Sequence, residues 1–462
     1  MAEPAQIPQA SGLSLGHLLK FRNQRLAWQM KLMIEYGDIC RMRLANFPVV
    51  LISSGDLAQS VLVENAPYFV KSRGLQLTRP LLGNGLLTSE YDFHRRQRKL
   101  ISPGLQHKRV GTYASVMAGF SEQAQARWKE GETIDVSAAM MKLTLAIAGK
   151  TLFDADLEGE AKEIGDALTV ALRAVSERIT SFFPAPLSWP LPQNWPVRRA
   201  IARLEKTVYR VIADRRTSGH DPGDILSMLL AAEEEGSGSK MTDVEVRDET
   251  MTLFLAGHET TANALAWTFY LLSRHPDIYA RLRSEVDEVL EGRTPELEDV
   301  PRLAYTLRVL KEAMRLYPPA YIIGRRATED VDIGPYRLPK GMTAFINIYG
   351  IHRRAKYFPD PERFDPDRFR PEDEKQMRSV YLPFGGGPRV CIGNQFALLE
   401  GQLALAAIAQ RVTFEAPSDR MVEPEPLVTL RPRHGIPLIV RRRSPASALR
   451  ETRQALGTAS AR

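Results

Sequence analysis

FGGGPRVCIG, residues 384–393, holds three consecutive glycines and one of the chain's two cysteines. Glycine lacks a Cβ, so this backbone can pass close to a flat object. Arg389 places a fixed cation two residues before Cys391, and Gly393 allows a second close approach just after it. The next stretch, NQFALLEGQLALAAIAQR (394–411), reads as a long apolar helix. Cys391 therefore sits at or just before a helix N-terminus, where free N–H groups and the macrodipole favour a thiolate. A thiolate is a strong electron donor to iron. The competing reading is a small buried hydrophobe, the usual fate of a lone cysteine. Five fixed positions in ten, Phe384, Gly387, Arg389, Cys391 and Gly393, argue against that reading.

A second block lies upstream. Thr242 and Glu245 match a capping box, so a long helix starts there and runs to about His275. Its centre is Ala256-Gly257-His258-Glu259-Thr260-Thr261. Glycine and β-branched residues weaken a helix, and a threonine hydroxyl can bond back to the carbonyl four residues earlier and bend it. Such a helix suits a place where dioxygen and water must enter. An acid and an alcohol side by side can deliver protons, because a hydroxyl both donates and accepts and a carboxylate can relay from bulk water. His258 reads as a packing or surface residue. Further on, Glu312 and Arg315 are one helical turn apart and precede LYPP (316–319) and FDPDRF (364–369). Alone, such a pair is an ordinary surface contact worth well under about 1 kcal/mol.

Taken in order, these blocks resemble the cytochromes P-450 of the soluble bacterial type over roughly residues 20 to 440. The resemblance implies a mainly α fold, a helical core with small β-sheets, built around one haem b. It makes Cys391 the axial ligand, and it groups Phe384, Gly387, Arg389 and Gly393 as the haem-binding loop. Glu259 and Thr260 become the catalytic acid and alcohol. His94 and Arg98, four apart on one helical face, and Arg325, five before Asp330, match the positions that bind haem propionates. Arg95, Arg96 and Lys99 are left to the surface. Glu312, Arg315 and Arg368 match a structural lock, with Arg363 of the neighbouring PERF as the rival third member. Leu86, Leu87, Leu255, Ala256, Ala320 and Ile322, with Tyr321 and Ile323, are candidate substrate wall.

The implied reaction is insertion of one oxygen atom from O₂ into an apolar molecule, by hydroxylation or epoxidation. Fatty acid, terpenoid, steroid and polyketide all fit. No flavin or iron–sulfur segment is evident, so electrons are expected from an acidic ferredoxin or flavodoxin with its reductase. Arg95, Arg96, Lys99, Lys108, Arg109 and Arg378 are the expected docking cations. A peroxide-using or non-oxidative relative, and a haem-thiolate sensing protein, are the alternatives; the Glu259–Thr260 pair counts against the first.

The 462 residues suffice for one large domain, expected over 21–440, with a flexible segment before it (1–20) and a basic, frayed tail after it (441–462). That tail holds six arginines and one glutamate, five of the seven net positive charges, so the remainder is no nucleic-acid footprint. Two distant cysteines form no disulfide framework and fit a cytoplasmic setting. The N-terminal stretch shows no signal sequence and no membrane anchor. Leu26, Met30, Met33 and Ile34 recur at helical spacing up to Gly37, and residues 39–52 read as a hairpin. Five prolines between Pro184 and Pro196 break the helical pattern of 160–216, a region that in the family covers the substrate channel. Phe182, Phe183, Trp189 and Trp195 there either line an entrance or pack the loop.

Overall fold

A computed structural model describes residues 4–181, 185–232, 240–419 and 421–443. Helices dominate, and the ones that frame the site are α1 (Ser14–Asn23), α2 (Arg25–Tyr36), α3 (Tyr91–Ile101), α4 (Val136–Phe153), α5 (Ala161–Ile179), α6 (Asn194–Ser218), α7 (Asp243–Arg274), α8 (Ala304–Leu316) and α9 (Asn394–Arg411). The capping box forms as expected at the start of α7, with Thr242 and Glu245 satisfying each other's backbone N–H groups. The 32-residue helix that follows is buried over most of its length. It packs against α4 and α9 through Leu143, Ile147, Leu265, Trp267, Leu403 and Leu405, all at most 1% exposed except Leu143. Helix α4 is long and apolar enough to cross a bilayer, yet two-thirds of it (67%) is buried inside the protein, as a core helix must be.

The main sheet has five strands: β1 (Ile39–Leu44), β2 (Phe47–Ile52), β3 (Phe69–Lys71), β4 (Ile323–Ala327) and β5 (Thr343–Ile346). Their spatial order is β1-β2-β5-β4-β3, with β2 and β5 parallel and the rest antiparallel. The hairpin closes through Leu44 opposite Phe47. A second sheet joins Thr133–Asp135, Pro437–Arg442 and Val412–Glu415.

Three expectations are corrected. Residues 4–20 do not hang free: Ala5 bridges to Tyr336, Gln9 bridges to Arg41, Ala10 is buried, and α1 sets Leu18 and Phe21 into the core. Burying those side chains supplies the anchorage that the polar run of the first residues concealed. The tail does not begin at 441. Arg441 and Arg442 finish a strand, and Arg443 makes a buried ion pair to Asp287 (2.6 Å); residues 444–462 lie outside the described residues. On α2, Ile34 faces solvent, while Arg25 and Gln29 are buried with Leu26, Leu32 and Met33. Trp189 and Trp195 are both exposed, and Phe182 and Phe183 lie outside the described residues.

Candidate active site

A cavity of about 560 Å³ runs between α7, β4, β5 and the cysteine loop. The loop is shaped by its own backbone: Cys391 N–H donates to the Phe384 carbonyl (3.0 Å), and Gly385 and Gly387 take φ of +72° and +67°. Phe384, Arg389, Cys391 and Gly393 border the cavity, but Gly387 does not. A Cβ on Gly387 would collide with the Leu62 carbonyl, so that glycine serves the packing of the loop on residues 60–64 rather than contact with a cofactor. Burial pushes the Cys391 thiol up, while the Gly393 N–H and the Arg98 guanidinium favour its ionised form. The helix end and Arg98 thus act in the direction the sequence suggests, and a metal cation would draw the sulfur fully to thiolate.

Beside the loop lies a concentration of positive charge. His94, Arg98, Arg325 and Arg389 all border the cavity, and Lys71 joins them from β3. Glu90 pairs with Arg389 (2.5 Å) and is the carboxylate at the centre of the group. The cations depress one another. Burial first, then Arg389 and Arg325, bring Lys71 down to about 7 against the pull of Glu90. Burial and Arg389 bring Arg325 down to about 10. Burial, Lys71 and the arginines bring His94 down to about 3. Arg389 Nη1 is buried with no hydrogen-bond partner. Glu90 alone does not balance these cations, and the two propionates of a haem would supply the anions still wanting. Alternation along β4 turns Arg325 inward and leaves Arg326 exposed.

On α7, Thr260 Oγ1 donates back to the Ala256 carbonyl (2.7 Å) and Thr261 to that of Gly257 (3.4 Å). The helix continues unbroken through them. Thr260 and Glu259 border the cavity. The acid is not in open contact with water. Glu259 Oε1 accepts from Arg431 Nε (2.8 Å) and from the Thr429 hydroxyl. His258 is fully buried, with its Nδ1 3.2 Å from the Phe254 carbonyl, which leaves packing and removes the surface reading.

The lock residues are buried together. Arg315 and Glu312, both 0% exposed, pair at 2.6 Å, and Arg315 also donates to the carbonyls of His352 (2.8 Å), Pro361 (2.7 Å) and Arg363 (3.0 Å). Arg368 Nε reaches Glu312 at 3.4 Å, whereas Arg363 offers this pair only its backbone oxygen. His352 completes the group: its ring lies 3.2 Å from the Arg315 carbonyl on one side and accepts from the Leu382 N–H (2.9 Å) on the other. Lys71, Glu90, Arg431 and His352 carried no sequence signal beyond their charge.

All six proposed wall residues, with Tyr321 and Ile323, border the cavity. The expected docking cations divide. Arg95 pairs with Asp92, Arg96 with Glu245 (2.7 Å), and Arg109 donates to the carbonyls of Pro222 and Gly223. Lys99, Lys108 and Arg378 are exposed, as Arg95 is despite its ion pair.

A cysteine at the floor of an apolar cavity, flanked by an anion-seeking rim, defines a haem-thiolate protein. The Cytochrome P450 family model matches residues 7–438. The chain is 41% identical to a "Cyclooctatin synthase" of Streptomyces melanosporofaciens, over 91% of this chain and 92% of that one. It is 34% identical to a "Pentalenene oxygenase" of Streptomyces avermitilis, over 90% and 92%. Among solved structures, a cytochrome P450DA heme domain superposes with a TM-score of 0.87 at 27% identity, covering 96% of this chain and 99% of that one. The chain belongs to the cytochrome P450 family: it is an oxidoreductase with one haem b per chain.

Proposed function

We propose that the chain oxygenates a terpenoid of low polarity, by hydroxylation or epoxidation, with two electrons from an acidic ferredoxin or flavodoxin and its reductase. The cavity wall carries this reading: Leu86, Leu87, Leu255, Ala256, Ala320 and Ile322 present apolar surface in the same space as Cys391 and Thr260. Relatives named for cyclooctatin and pentalenene, both terpenoid, favour that class over fatty acid, steroid or polyketide. The free cysteines, Cys40 and Cys391, support a cytoplasmic setting.

Haem, when bound, supplies dioxygen activation and oxygen-atom insertion. The protein's part is positioning and proton supply. His94, Arg98, Arg325, Arg389 and Lys71 would hold the propionates, and Cys391 would hold the iron. The apolar wall keeps water from the reacting carbon. Thr260 Oγ1 becomes a proton donor towards the cavity by turning from the Ala256 carbonyl, and Glu259, once it leaves Arg431 and takes up a proton from solvent, would return one to the relay. Thr260→Ala should keep haem and consume NAD(P)H at a similar rate, but release several-fold more hydrogen peroxide per oxygenated product. Unchanged coupling would remove Thr260 from the relay.

The substrate class is tested by titrating the ferric Soret band with cyclic terpenes and with fatty acids and steroids of similar carbon number. Terpenes should shift the band at the lowest concentrations; tighter binding of fatty acids or steroids would overturn the assignment. For the donor, Lys99→Glu with Lys108→Glu should slow reduction by an acidic ferredoxin and leave substrate affinity alone. Wild-type reduction should fall with salt, since exposed charges are screened beyond about 10 Å at 0.1 M. Reduction that ignores both would place the docking face elsewhere.

A further inference from the structure

Arg25, near the start of α2, is a buried arginine on the cavity wall. Five arginines are buried among the described residues, and four have a carboxylate: Arg215 with Asp224, Arg247 with Glu205 and Asp248, Arg315 with Glu312, Arg353 with Glu362. Arg25, 5% exposed, has no carboxylate within 4.0 Å among the described residues. Its partners are neutral. Nε donates to the Phe21 carbonyl (3.0 Å), and Nη1 donates to the Tyr321 hydroxyl and to the carbonyls of Pro426 (3.0 Å) and Leu427 (3.3 Å). Nη2 makes no hydrogen bond to any described residue.

The guanidinium is held in one orientation. Its carbon lies 4.3 Å from the centroid of the Phe21 ring, and the Tyr321 hydroxyl that receives Nη1 in turn donates to the Leu427 carbonyl (2.6 Å). Arg25, Phe21, Tyr321 and Leu427 all border the cavity. A buried, fixed cation with a donor to spare is costly to maintain unless something completes it. It also sits apart from the propionate cluster, on α2 and the turn after Pro426 rather than on α3 and β4.

We propose that Arg25 anchors an oxygen substituent, a hydroxyl or carboxylate, that the substrate already carries when it enters the cavity. This rests on the terpenoid reading for the skeleton but not for the anchor. The substrate would then be the product of an earlier oxygenation, or of a cyclisation terminated by water, rather than a bare hydrocarbon. Arg25 sets which face of the skeleton reaches the iron by fixing the opposite functional group. It is a specificity-determining residue, not a catalytic one.

The test is a Soret titration of the holoenzyme with matched sets: hydrocarbon, alcohol and carboxylic acid of one terpene skeleton, and the same three on one linear chain. The wild type should bind an oxygenated member about tenfold more tightly than its hydrocarbon, as expected for a hydrogen bond to a charged group. Arg25→Met should erase that preference while hydrocarbon affinity stays within about twofold of wild type. Arg25→Lys, which keeps the charge but loses the fork, should retain a reduced preference, and it serves alone if the methionine variant fails to load haem. No preference in the wild type, or an undiminished one in whichever variant loads haem, would overturn the proposal. If linear alcohols or acids show the preference while no terpene skeleton binds, Arg25 stands and the terpenoid reading falls. Terpenes that bind without preference sink the anchor alone.

Discussion

Cys391→Ala should abolish the strongly red-shifted Soret band of the ferrous carbonyl complex and, with it, oxygenation. That band reports thiolate ligation of the iron, and Cys391 is the cysteine that borders the cavity. Cys40 is the control. It lies buried in β1, its thiol pushed up to about 12 by burial, and it does not border the cavity. Cys40→Ala should therefore leave the spectrum unchanged. A wild-type carbonyl band in Cys391→Ala would remove this residue as ligand.

The second large effect is on folding. Glu312→Ala should yield little haem-loaded protein, because it strands the fully buried Arg315 charge, at a cost of about 3–5 kcal/mol. That is a large part of the stability of an ordinary domain. Glu312 also accepts from the Asp365 N–H (2.9 Å), so the loop leading to Arg368 loses its tether as well. Arg368→Ala should cost less, since its contact is longer (3.4 Å) and nearer solvent. Arg363→Ala should cost nothing through the lock, to which it lends only a carbonyl. Haem content and thermal midpoint of the three variants give the ranking. Normal loading of Glu312→Ala would reduce the pair to an ordinary contact.

Features written in a short window were legible in the sequence. The cysteine loop, the capping box and the Glu312–Arg315 turn each complete their pattern within ten residues, and the structure assembles each locally. What joins distant segments was not legible. Glu259 finds Arg431 across 172 residues, and Arg25 finds Tyr321 across 296. A lone Lys71 after two apolar strand residues gives no hint that it will face His94 and Arg325. Two readings failed because burial, not residue type, decides them. Ile34 shares the helical spacing of Leu26 and Met33 yet faces solvent, and α2 instead buries Arg25 and Gln29. Arg96, one of three neighbouring cations that the sequence leaves to the surface, reaches the Glu245 that caps α7. Gly387 fits its motif in sequence, while its surroundings in the fold are the Leu62 carbonyl.

The most direct test of a haem-thiolate oxygenase acting on terpenoids is turnover under ¹⁸O₂ with ferredoxin, its reductase, NAD(P)H and a terpenoid that shifts the ferric Soret band. The product should gain a single oxygen atom carrying the isotope of the gas, and Cys391→Ala should form none. A product whose new oxygen comes from water, or cofactor oxidation with no oxygenated terpenoid under any coupling condition, would contradict the account.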